Sequence, residues 1–209
     1  MTHANRIGVA ILLSTFLVSH PGFAASCYEK SPNYDLLGDK YFDLDNSTPL
    51  TASDKKILDS SLRKIVGNWK GIGSTFECVG PELDPVAENN KFTLSAKIST
   101  NSSNELHVDV EKQLLVDKSK SNDHLFFFGA NSYRTISITP NKIILVESFR
   151  QVRIKNRSEK DPNKKAREKF RPFYELIHTI EHSGTHFDYN LRRYINGSLA
   201  IEERWQLVR

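Results

Sequence analysis

The chain has 209 residues, 38% hydrophobic and 26% charged, a balance that suits a globular domain with a real core and excludes disorder and multi-span membrane architecture. Its net charge of +4 comes from 29 basic residues interleaved with 25 acidic ones, too even a mixture to mark a nucleic-acid binder.

Residues 1–25 read as a signal peptide. Arg6 supplies a positive start, Ile7 to Val18 is an apolar run too short to cross a bilayer comfortably, and Gly22-Phe23-Ala24-Ala25-Ser26 offers small residues for cleavage. After residue 27 no apolar run reaches membrane-spanning length. The expected location is therefore outside the cytoplasm, periplasmic or secreted, with no transmembrane segment. Cys27 and Cys78 are the only cysteines. In an oxidising compartment they read as one disulfide, and the alternative is a lipid anchor on Cys27. Ala24 stands where a lipidation signal usually has Leu.

Residues 26–66 form an N-terminal arm and one helix. Pro32, Pro49 and scattered turn-formers predict an extended arm. The helix begins near Ser53, capped by Thr51 or Ser53, and carries Ile57, Leu58, Leu62, Ile65 and Val66 as one apolar stripe until Gly67 stops it.

Residues 67–209 read as a meander of about eight to ten short antiparallel strands. Trp69 opens the first, with Gly71 and Gly73 on its face to permit a bend or close backbone approach. Phe92, Leu94, Ala96 and Ile98 alternate with polar residues, as do Leu106, Val108 and Val110 after a turn at Asn101–Asn104. Further strands are expected at His124–Gly129, Tyr133–Thr139 and Lys142–Arg153. From Phe173 a hairpin through Ser183-Gly184 places Leu176, His178 and Ile180 on the face of Phe187, Tyr189 and Leu191. The last strand follows Asn196-Gly197, with Leu199, Ile201, Trp205 and Leu207, and needs a bulge near Arg192-Arg193 or a longer turn to keep its faces in order. Closure of such a meander into a single up-and-down β-barrel would remove its exposed edges.

Between Arg153 and Arg171 nine basic residues face only Glu159, Asp161 and Glu168. This basic insertion reads as a solvated loop or as a lid or contact with an anionic surface or acidic partner.

A helical turn leading into Gly67-Asn68-Trp69 and then a meander resembles the lipocalins and the wider calycin superfamily. The resemblance implies that Gly67 and Trp69 close one end of a barrel and that Arg209, on the face of Trp205 and Leu207, packs against Trp69. It also implies a small hydrophobic or amphipathic ligand in the interior. His178, Phe187, Tyr189 and Phe127 are the candidate ligand-binding residues, because apolar sites carry a few placed polar groups. The rival expectation is an interaction protein of the cell envelope, with a filled barrel and 153–171 as its contact surface. A third is a hydrolase or isomerase with its site at the barrel mouth. No nucleophile elbow, zinc helix, phosphate loop or dinucleotide fingerprint occurs, so neither a catalytic set nor a cofactor is expected. His178, His182 and His186 have helical metal spacing, but the hairpin sends His182 and His186 to opposite faces.

Overall fold

The computed structural model describes residues 25–44, 51–81, 83–100, 106–127, 134–150 and 172–209. The leader and the basic insertion 153–171 lie outside the described residues, as does Phe128; the side chains of Phe126 and Phe127 lie outside them too. The arm is not simply extended. Ser31 accepts a hydrogen bond from Asn33 N and caps α1 (Pro32–Leu37), with Pro32 in the first turn where its missing N–H costs nothing. A 3-10 turn, Gly38–Asp43, follows and buries Tyr41. The helix α2 (Ala52–Ile65) is capped by the Thr51 hydroxyl on Asp54 N and buries Leu58, Ser61, Leu62 and Ile65.

Among the described residues, nine antiparallel strands make one sheet: β1 (Gly67–Val79), β2 (Val86–Thr100), β3 (Leu106–Leu114), β4 (Lys120–Phe127), β5 (Arg134–Ile138), β6 (Lys142–Arg150), β7 (Phe173–Ser183), β8 (His186–Ile195) and β9 (Ser198–Val208). Their order across the sheet is β4-β3-β2-β1-β9-β8-β7-β6-β5. The expected closure into a lipocalin-like barrel is therefore corrected. β4 and β5 stand at opposite ends of the order, no pairing joins them among the described residues, and the sheet is open.

The sheet still buries a large inner face. Trp69, Leu94, Ala96, Ile98, Val108, Leu145, Ile180, Tyr189 and Trp205 join Leu58, Leu62 and Ile65 of α2 in one apolar cluster. Strand alternation places these residues on one side, and α2 lies against them. At Gly71 a Cβ would overlap the carbonyl oxygen of Gln206, so only glycine lets β1 and β9 meet as they do. Gly67, at φ +141°, turns the chain out of α2 in a conformation that side chains rarely adopt. The hairpin turn falls at Gly184-Thr185, one residue beyond the expected place, since Ser183 pairs with His186; every side chain keeps its predicted face. Between β8 and β9 the register shifts at Arg193/Tyr194, with Ala200 the extra residue.

The arm covers part of the outer face. Lys30 bridges to Ser198, and Cys27 is bonded to Cys78 on β1 with Cα atoms 5.6 Å apart. Beneath the arm Glu175 is fully buried and accepts from the Ser31 hydroxyl, from Asn33 Nδ2 at 2.6 Å and from the Tyr41 hydroxyl at 3.2 Å. Three donors on one side chain satisfy a buried polar group that would otherwise be costly. Burial and the adjacent Glu175 push the Tyr41 phenol well above its usual range.

Candidate functional site

The two faces of the sheet differ in what they leave open. On the inner face His178 Nδ1 lies 3.1 Å from the Tyr189 hydroxyl, and Tyr189 packs on Trp205 with ring centroids 4.7 Å apart. Trp205 Nε1 donates to Glu203, which also pairs with Lys112 at 2.7 Å. Lys112 Nζ stands over the rings of Phe92 and Trp205, at 5.2 and 5.8 Å. Phe187 packs on Trp69 instead, at 5.4 Å. Three of the four expected ligand-binding residues thus share the inner face, but Phe187 belongs to the packing around Trp69. His178, Phe187 and Tyr189 are buried at 5%, 2% and 3% exposure. These side chains pack against one another, and the open sheet has no closed pocket around them. The interior small-molecule reading is therefore withdrawn, and with it the alternative of a filled barrel contacting partners through 153–171.

Burial, with the Arg193 charge nearby, pulls the His178 imidazole down to about 4. His178 is thus neutral at pH 7. The His182 imidazole is lowered by burial and by the charge of Lys64, and it too faces inward, whereas His186 faces outward opposite Ser183. The Arg209 guanidinium lies 4.4 Å from the centre of the Trp69 ring and donates to the carbonyls of Lys64 at 2.9 Å and Val66 at 2.5 Å. These are end-of-helix carbonyls, so Arg209 caps α2 while covering Trp69.

A groove of about 510 Å³ crosses five strands, lined mainly by outer-face residues and also by Phe92, Tyr189 and Trp205. Register fixes its layout. In one row Glu181 of β7, Asp188 of β8, Gln206 of β9 and Ile72 of β1 stand side by side. In the next row come Thr179, Asn190, Arg204, Ser74 and, on β2, Lys91. Carboxylates therefore occupy the β7–β8 side and cations the β9–β2 side. Ile72 and Leu115, 56% and 53% exposed, supply apolar surface in the same groove. Burial, and then the facing Glu181, raises the Asp188 carboxyl, with His186 acting the other way; Lys142 binds Glu181 at 2.6 Å.

The groove is braced from below. Glu202, 4% exposed, accepts from Asn190 Nδ2 at 3.0 Å, Arg192 Nε at 2.8 Å and Arg204 Nη2 at 2.9 Å. Arg192 reaches on to Glu29 in the arm at 2.6 Å. Burial alone would raise Glu202, but the bonds from Arg204, Asn190 and Arg192 outweigh it and hold the carboxyl below its ordinary range. Arg204 Nε is buried and makes no hydrogen bond among the described residues. Tyr189, a candidate ligand-binding residue, also lines the groove, whereas its polar and charged residues were not singled out from the sequence. The signal was present, because strand alternation puts Glu181, Asp188 and Asn190 on the hairpin face opposite His178 and Tyr189, but the β9 and β1 partners depend on pairing between strands far apart in the chain.

A larger and shallower hollow, about 690 Å³, runs along the exposed side of α2 between Lys55, Lys56, Asp59 and Arg63. It is the solvated face of an amphipathic helix.

No protein-family model matches the chain, and no curated protein matches it. Among solved structures it is similar to a protein of unknown function from the DUF3598 family of Nostoc punctiforme, at 11% identity and a TM-score of 0.34, over 71% of this chain and 48% of that one. The chain thus spans about half the length of that protein. It is also similar to Rv2717c from M. tuberculosis, at 12% identity and a TM-score of 0.41, over 87% of this chain and 99% of that one. Neither likeness is close enough to carry an argument about function.

Proposed function

We propose that this protein is an exported binding module that holds a small polar ligand on the outer face of its open sheet and performs no chemistry on it. The observation that carries the reading is the charge-segregated groove, with Glu181 and Asp188 on one side and Arg204 and Lys91 on the other. Its volume suits a small-molecule site. Glu202 orients Asn190 and Arg204, which is the kind of support a preorganised site needs. Export is supported by the leader pattern at Ile7–Val18 and by the Cys27–Cys78 bond, which belongs to an oxidising compartment.

The test is amide-resolved NMR of the protein with the low-molecular-weight fraction of a cell extract. Saturable shifts at Ile72, Asp188, Arg204 and Gln206, abolished in Arg204→Glu, are expected. Shifts centred on Ile98 and Leu145 of the inner cluster instead, or no shifts at all, would overturn the reading.

A further inference from the structure

We infer that the groove ligand is a short peptide with both ends free, its ammonium group held by Glu181 and Asp188, its carboxylate by Lys91, and its middle crossing Arg204. The inference rests on the binding-module reading and adds the ligand's chemistry. Three features of the groove point to it. The first is distance. Asp188 on β8 and Lys91 on β2 are separated by three strand spacings, roughly 14 Å at the usual inter-strand distance, which an extended chain of about four residues spans.

The second is the middle of the groove. Gln206, Asn190, Ser74 and Thr179 present amides and hydroxyls there, able both to donate to and accept from peptide groups. Ile72 and Leu115 offer exposed apolar contact for a side chain of the ligand. A sugar would use the polar row and leave these apolar residues and the separated charges unused. A fatty acid would use the apolar residues and leave the carboxylates facing its chain.

The third is the state of the charged ends. Asp188 faces Glu181 directly across the β7–β8 pair, and like charges so placed repel. Lys142 already pairs with Glu181 at 2.6 Å from the β6 side, and an ammonium arriving beside Asp188 would relieve what repulsion is left. Burial first, and Glu181 second, raise the Asp188 carboxyl. Between the two ends, Arg204 gives Glu202 only part of its donor set, and its side chain is 42% exposed, so it can donate to a peptide carbonyl crossing the groove.

Tetra-alanine is the probe, compared with its N-acetylated and C-amidated forms, by NMR titration of the unaltered protein. Free tetra-alanine is expected to shift the amides of Ile72, Asp188, Arg204 and Gln206. Each cap is expected to weaken binding at least tenfold, because it removes one charge–charge contact. In a Glu181→Gln/Asp188→Asn protein the acetyl cap should cost less than threefold while the amide cap keeps its full effect. Equal binding of free and capped peptides overturns the inference, and so does an absence of peptide shifts while the extract fraction still shifts the groove. In both cases the binding-module reading stands. If neither probe shifts the groove, both fall. The capped peptides test the idea on the unmodified chain, so a variant that fails to fold does not rescue it.

Discussion

His178 concentrates the cost of an inward-facing imidazole. Burial and Arg193 hold it near 4, below its ordinary value of 6.5, so the folded protein binds this proton less readily than the unfolded chain. The stability it permits is complete above about pH 6.5 and is lost as pH falls toward 4, an effect approaching about 3 kcal/mol for a shift of this size. Urea midpoints at pH 7.5 and pH 4 should fall steeply in the wild type and less steeply in His178→Leu; parallel slopes would remove His178 as the cause. Individual residues were unevenly legible in the sequence. Trp69 could be placed because an aromatic beside glycines at a strand start has few other uses. Glu175 could not, since its three donors come from an arm more than 130 positions away.

Among elements, the arm departs most from its sequence reading. A six-residue helix has no room for an apolar period, so Pro32 and the polar residues around it look extended, and only the Ser31 cap betrays α1. The α2 helix was easier, because its stripe repeats over three turns and Thr51 marks its start. What fastens the arm is the Cys27–Cys78 bond, which closes a separation of 51 residues. On the chain-entropy model such a loop contributes about 4 kcal/mol. Cys27→Ala/Cys78→Ala should lose stability of that order in urea melts. It should also loosen Glu29 from Arg192, so that hydrogen exchange rises at Arg192 and Asn190 together. A loss of stability with exchange unchanged in β8 would show that the arm does not brace the groove.

For the whole molecule, strand number and alternation were readable because period two is local, whereas closure was not. Whether β4 meets β5 depends on two short segments at opposite ends of the strand order, and neither has a pattern that names its neighbour. The edge strand β5 has five residues and a register shift between Thr135 and Ser137, features that blunt an open edge against further pairing. An open sheet should exchange its amides in order of distance from the middle. Protection is expected to be greatest in β1, β9 and β8 and least in β4 and β5. Uniform protection from end to end would speak for a closed ring.

The middle of that order has a temporal meaning. β1 lies directly against β9, so the sheet is two meanders, β1–β4 and β5–β9, stitched along one seam by strands about 130 residues apart in the chain. Neither meander can complete the inner cluster alone, because Trp69 and Leu94 belong to one while Ile180 and Trp205 belong to the other. Until β9 is made and seated, β1 and β8 each carry an unpaired border. Completion of the inner cluster must therefore wait for β9 to pair with β1, a contact between distant parts of the chain of the kind that makes folding slow.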